Sequence, residues 1–140
     1  MPGYSGTPLP KKLGIKDGFR IFLVNAPADV RGELRAAMSA CEILSEPSGP
    51  LDFVMFFTNS RTELSRGFSL LAKDLANAGL LWVSWPKKSS GFATDIDENV
   101  VRDIGLAAGL VDVKVCAVTE VWSGLKFVRR VADRKKVRKR

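Results

Sequence analysis

The 140-residue sequence predicts an α/β fold, a three-layer sandwich around a mostly parallel sheet of about six strands ending in an antiparallel hairpin. Three observations carry that expectation. Short, nearly all-apolar runs at 19–25, 51–58 and 80–85 are rich in aromatic and β-branched residues, as suits strands buried on both faces. Stripes of apolar residues at helical spacing lie between them. The end of the domain reads as two strands joined by a turn.

Residues 1–18 form a lead-in, because Pro2, Gly3, Gly6, Pro8 and Pro10 forbid early regular structure. One helical turn is expected over 10–15, with Leu9, Leu13 and Ile15 dropping onto the core, and Lys16-Asp17-Gly18 reads as a turn. After the first strand, 19–25, Ala26 to Asp29 opens a helix whose inner face is Val30, Leu34, Ala37 and Met38. A short second strand follows at 41–45 and a Pro/Gly loop at 47–50. The run at 51–58 is the most hydrophobic and the most central.

Ser60 and Glu63 match a capping box, in which the hydroxyl takes an orphan helix N–H and the carboxylate reaches back. Leu64, Phe68, Leu71 and Leu75 make the next stripe, with Gly79 as a left-handed stop. The strand at 80–85 halts at Pro86. Thr94 to Asp97 offers a cap for a helix carrying Ile96, Val100, Val101, Ile104 and Ala108, closed by Gly109. A strand at 111–120, a turn at Trp122-Ser123-Gly124 and a returning strand at 125–131 complete the hairpin. Right-handed crossovers are expected between the parallel strands. The chain divides into a lead-in (1–18), one domain (19–131) and a basic, disordered tail (132–140).

Charge sharpens the division. Residues 129–140 hold eight basic residues against Asp133, which accounts for the whole net charge of +7; the rest balances fourteen of each sign. Clustered cations attract nucleic acid through counterion release, and Arg134, Lys135, Lys136, Arg138, Lys139 and Arg140 are the residues that would do so. No apolar run is long enough to span a membrane and no signal pattern opens the chain, so a cytoplasmic protein is expected. The two cysteines, Cys41 and Cys116, read as reduced thiols in apolar segments. Histidine is absent, which removes the commonest general base and metal ligand, and no metal site is expected.

In open α/β sheets, ligands bind beyond the carboxyl ends of the strands where the winding reverses. Three strand ends converge there, giving Asn25, Pro27, Asn59, Ser60, Trp85, Lys87, Lys88 and Ser89 as the lining of a candidate crevice. Lys87 to Gly91 offers two ammonium groups and two hydroxyls to an anion. Weaker candidates are Glu46, where an acid could hold ribose hydroxyls, Glu98 and Glu120 as acid–base groups, and Trp122 as a stacking surface. The first turn argues against a pyrophosphate cradle: Asn25 to Asp29 has no glycine, Pro27 has no N–H and Asp29 is anionic.

Several stretches carry a resemblance: Gly-Tyr-Ser-Gly-Thr-Pro-Leu (3–9), Lys-Leu-Gly-Ile (12–15), Trp-Pro-Lys-Lys (85–88), Glu-Asn-Val-Val-Arg (98–102), Gly-Leu-Val-Asp-Val-Lys-Val-Cys-Ala-Val (109–118) and Trp-Ser-Gly-Leu (122–125). Through them residues 1 to 130 are similar to a bacterial family of small domains of unknown function. More distantly, the layout resembles the Rossmann-like fold of class I S-adenosylmethionine-dependent methyltransferases, through Ala78 to Val83 and the terminal hairpin; that resemblance implies the strand order 2-1-3-4-6-5, with the last strand inserted antiparallel. Asn25 to Asp29 stands where that fold has its glycine-rich cofactor loop, and the segment before the strand at 51 is too short for a further strand and helix.

The expected function is therefore a non-catalytic, regulatory binding module without cofactor, taking a small anionic ligand or a protein partner in the crevice. The first alternative is a reduced methyltransferase-like enzyme using S-adenosylmethionine, or an anionic-substrate enzyme pairing Lys87 or Lys88 with Glu98 or Glu120. The second is nucleic-acid association through the tail.

Overall fold

The computed structural model describes residues 6–134. Its elements are α1 (Leu9–Leu13), β1 (Arg20–Val24), α2 (Ala28–Met38), β2 (Glu42–Ile43), β3 (Leu51–Phe57), α3 (Arg61–Lys73), β4 (Leu75–Pro86), a 3₁₀ turn at Lys88–Ser90, α4 (Glu98–Ala107), β5 (Leu110–Ala117), β6 (Trp122–Arg129) and α5 (Val131–Arg134). Among the described residues, one six-stranded sheet has the order β2-β1-β3-β4-β6-β5. β2, β1, β3 and β4 pair in parallel, and β6 runs antiparallel to both β4 and β5. The alternation of buried strands and helical stripes implies the α/β sandwich, and the order itself is the one that the methyltransferase-like layout implies.

The sheet separates two cores. On one face, Leu64, Phe68 and Leu71 of α3 and Val101 of α4 pack on Val54, Phe56, Leu81, Val83, Leu125 and Phe127. On the other, Leu9 and Leu13 of α1 and Val30 and Leu34 of α2 pack on Ile21, Phe53, Met55, Phe57 and Trp82. Strands covered on both faces must be apolar at every position, which is why β3 is buried at six of its seven residues, all but Asp52. No described helix lies between β2 and β3, so Phe22, Val24 and Leu44 are only half buried on the α3 side.

Local expectations hold where capping chemistry is specific. Ser60 accepts the Glu63 N–H at 3.2 Å and Asp97 accepts the Val100 N–H at 2.9 Å, each supplying an orphan helix donor with its oxygen. Gly109 takes the left-handed φ of 95° after α4. Three expectations change. Gly79 is not a helix stop: α3 ends at Lys73, β4 begins at Leu75, and a Cβ at Gly79 would lie 2.7 Å from the Leu51 carbonyl. The glycine is needed for that close approach of backbones, where the β3–β4 register shifts.

Trp122, Ser123 and Gly124 are not the hairpin turn. They pair with Pro86, Trp85 and Ser84 inside β6, and the chain reverses at 118–121, where Thr119 Oγ1 accepts the N–H groups of Val121 and Trp122. The Glu63 carboxylate, finally, does not reach back to Ser60; it accepts from the Thr58 hydroxyl, which in turn takes the Ser60 N–H at 3.2 Å.

Two basic residues of the charged C-terminal segment, Arg129 at the end of β6 and Arg134, belong to the fold. Arg129 donates to the carbonyls of Ala72 (2.8 Å) and Leu75 (3.0 and 2.6 Å), closing the end of α3 with a cation where the helix dipole favours one. Arg134 sits in α5 and donates to the Arg129 carbonyl at 3.0 Å. Lys135, Lys136, Arg138, Lys139 and Arg140 lie outside the described residues.

Candidate functional site at the carboxyl edge

The winding reverses between β1 and β3, so their carboxyl ends form the switch point of the sheet. There the chain leaves β1 through Asn25 at φ 59°, the one non-glycine among the described residues with a positive φ. Asparagine tolerates that conformation because its short amide bonds locally. Here Asn25 Nδ2 donates to the Phe57 carbonyl at 3.1 Å and ties the two strand ends together. The left-handed turn that a glycine would serve is thus present without one. Pro27 caps α2 without a side-chain bond. Arg31 reaches back to the Ala26 carbonyl at 3.2 Å, placing a guanidinium beside the turn.

Beyond this turn lies an open cavity of about 460 Å³. Its floor is apolar: Val24 at the end of β1, Phe56 near the end of β3, and Gly67 and Leu70 on α3. Its rim is polar, built by Ser60, Thr62, Glu63 and Arg66 from the first turns of α3. The missing helix between β2 and β3 leaves this face open, and α3 supplies both the floor and the rim. Gly67 lets α3 sit close, since a Cβ there would meet the Phe56 ring at 2.9 Å. Leu70 is 59% exposed although it belongs to an otherwise well-packed helix.

Of the expected lining, only Ser60 reaches this cavity. Asn25 and Pro27 form the adjacent turn. Asn59 is held by its carbonyl, which accepts from the Thr94 hydroxyl at 2.8 Å. Trp85 does not line a crevice; at 6% exposure it belongs to the core beside Val83 and Leu125, because β4 continues to Pro86 and its odd-numbered side chains face α3 and α4. Lys87 is drawn toward the hairpin by its N–H, which donates to the Val121 carbonyl at 2.8 Å. Lys88 and Ser89 are exposed on the 3₁₀ turn.

The weaker candidates scatter. Glu46 is exposed beyond β2, and Glu120 is exposed in the 118–121 turn. Glu98 is paired with Arg102, which also holds Asp112 at 2.9 Å. That guanidinium keeps the Asp112 carboxyl below its ordinary range, an architectural ion network between α4 and β5. Trp122 packs edge-on to Phe57, ring centroids 5.1 Å apart. Among the described residues no group of three His, Cys, Asp or Glu side chains could hold a metal, and no helix is long and apolar enough to cross a membrane.

No family model matches the chain. A curated relative, mitochondrial enolase superfamily member 1 of Xenopus laevis, is 33% identical over 113 residues, covering 76% of this chain and 24% of that protein. The chain thus spans about a quarter of the length of the curated relative it matches. Among solved structures, magnesium protoporphyrin IX methyltransferase from Synechocystis PCC 6803 with bound SAH is 15% identical, covers 87% of this chain and 78% of that one, and superposes with a TM-score of 0.57. The same enzyme with bound SAM gives 14%, 87%, 74% and 0.56. An S-adenosylmethionine-dependent methyltransferase from Aquifex aeolicus is 17% identical, covers 84% of this chain and 85% of that one, and gives 0.57.

The fold is that of the class I S-adenosylmethionine-dependent methyltransferases. These neighbours overturn the expectation of a cofactor-free, non-catalytic module, since the fold recurs in enzymes that hold SAM or SAH. Two physical points separate the expectation from the structure. The turn after β1 needs no glycine, because Asn25 makes it. The absence of histidine removes the commonest general base, but group transfer to a ready nucleophile depends on orientation more than on a base.

Proposed function

We propose that this domain is a reduced S-adenosylmethionine-dependent methyltransferase-like enzyme whose cofactor lies in the crevice between β1, β3 and α3. One observation carries the reading: a 460 Å³ cavity with an apolar floor and a polar, charged rim opens at the switch point of a methyltransferase fold. The donor set suits the group. Val24, Phe56 and Leu70 offer an apolar surface to a purine, the Glu63 carboxylate can take an ammonium or a ribose diol, and the Arg66 guanidinium can take a carboxylate. When bound, the cofactor supplies an electrophilic methyl group on a sulfonium centre.

The chain's own part is positioning. Asn25 fixes the turn over the strand ends, and its bond to Phe57 keeps β1 and β3 in register at the cavity mouth. Thr58 holds the Glu63 side chain, so that the carboxylate is set before any ligand arrives. Such preorganisation lowers the entropy to be lost when two reactants are aligned.

Irradiation with methyl-labelled S-adenosylmethionine tests the assignment. Label recovered in the peptide holding residues 61–73, and competed by S-adenosylhomocysteine, is the expected result. No label, or label confined to residues 110–129, would overturn it.

A further inference from the structure

The opposite face of the sheet carries a second feature that the crevice does not use. Lys114 and Lys126 are direct register partners across β5 and β6, and Lys126 is in turn the partner of Trp82 on β4. Directly opposed residues of an antiparallel pair point to one face with Cβ atoms about 5 Å apart, and like charges so placed repel. Acidic partners would be the ordinary solution, yet no ion pair among the described residues involves either lysine. Lys114 Nζ donates to the Lys12 carbonyl at 3.3 Å, and Lys126 Nζ lies 5.8 Å from the centre of the Trp82 ring. Partial burial, together with the charge of Lys114, pushes the Lys126 ammonium below its usual range.

Cys116 lies two residues beyond Lys114 on the same face of β5, opposite Gly124. Its thiol is raised by burial, while the charges of Lys12, Lys114 and Lys126 pull it back down. Lys12 Nζ itself donates to the Ala117 carbonyl at 3.0 Å, one residue further along. Three cationic side chains thus converge on one thiol, two of them set against each other by the ladder. A local rule broken in this way is expected where a ligand supplies the compensation.

We propose that Lys114 and Lys126 form a phosphate-binding site beside Cys116, with one tetrahedral dianion bridging the two ammonium groups on the open face of β5 and β6. Charge complementarity selects the ligand: two separated point charges match a dianion whose oxygens diverge, and lysine binds phosphate as a point charge. The dianion is inorganic phosphate or the group of a small phosphomonoester; a nucleic-acid backbone phosphodiester carries one charge only and does not match.

Cys116 is the reporter. In a Cys41→Ser background, the rate of Cys116 alkylation by iodoacetamide is followed as inorganic phosphate replaces chloride at constant pH and ionic strength. Phosphate is expected to slow alkylation several-fold and saturably, because it neutralises the charges that favour the thiolate. The Lys114→Gln/Lys126→Gln variant is expected to lose that dependence while melting no earlier than its parent, since a repulsive pair is removed. A phosphorylated sugar, tested in parallel, is expected to protect at a lower concentration than a short single-stranded oligonucleotide of equal phosphate content; the reverse order would overturn a dianion site. A rate indifferent to phosphate, or a dependence that survives the double substitution, would overturn the site. Phosphorus-31 line broadening on the unsubstituted protein reads the same binding without any variant; an unbroadened line would also overturn it.

Discussion

Asn25 and Phe57 are joined across the reversal of the sheet: the Asn25 amide, on a backbone at φ 59°, donates to the Phe57 carbonyl at 3.1 Å. The bond and the left-handed turn are separable. Asn25→Gly keeps the turn and loses the bond, and a loss of about 1 kcal/mol is expected. Asn25→Val loses the bond and also forces a β-branched residue into the left-handed region, for about 2–3 kcal/mol in all. Urea unfolding of both variants checks the order; a valine variant as stable as the glycine variant would contradict it.

Arg129 ties the last parallel crossover to the hairpin. Its guanidinium serves the Ala72 carbonyl in the last turn of α3 and the Leu75 carbonyl at the start of β4, so Arg129→Ala leaves both carbonyls without their cation. The expected loss is about 1.5–3 kcal/mol, with Arg129→Lys recovering part of it. Chemical denaturation measures both.

Gly105 sits on α4 where a Cβ would fall 2.0 Å from the Phe127 ring. That ring is fully buried and packs edge-on to Phe68 at 5.1 Å, so it has nowhere to retreat. Alanine would gain about 1 kcal/mol of helix propensity, but the overpacking of a dense core outweighs it. Gly105→Ala is expected to be destabilised by about 1–3 kcal/mol and to melt earlier by calorimetry.

The network of Arg102 with Glu98 and Asp112 gives an acid dependence. The Asp112 carboxyl is held below its ordinary value of 3.8 chiefly by the hydrogen bond from Arg102. A folded-state value below the unfolded one contributes stability that is complete above about pH 4 and is lost as pH falls through the folded value. Asp112→Asn removes that contribution. Its urea midpoint is therefore expected to lie below the parent's at pH 7 and to converge on it as pH falls through the lowered folded-state value.

The elements and the α/β class were legible because two periods, buried runs and helical stripes, alternate; the strand order, with β6 between β4 and β5, was legible only through the methyltransferase-like layout. Glycines were not. Gly79 and Gly124 read as stops and turns, whereas each is a close contact: 2.7 Å from the Leu51 carbonyl in one case, and 2.9 Å from Val118 and 3.1 Å from the Trp82 ring in the other. Sequence does not distinguish a glycine needed for its φ from one needed for its missing Cβ. Trp85 was misplaced for a related reason. A residue next to a proline looks like a strand end, but β4 carries Pro86 as its final residue and keeps Trp85 in the core.

The crevice itself was only partly legible. Val24 and Phe56 looked like ordinary strand residues, and Glu63 like a cap. Two signals could have found the cavity: the connection before β3 is too short to cover β1, and Leu70 lies off the Leu64, Phe68 and Leu71 stripe of α3. An apolar residue off-stripe beside an uncovered strand marks a floor rather than a core.

Titration calorimetry with S-adenosylhomocysteine is the most direct measurement of the central claim. The intact chain is expected to bind one equivalent, and Arg66→Ala, at an exposed rim position that leaves the fold intact, to bind at least tenfold more weakly, about 1.4 kcal/mol. Absence of binding by the intact chain, or equal affinity in Arg66→Ala, would contradict the placement of the cofactor between β1, β3 and α3.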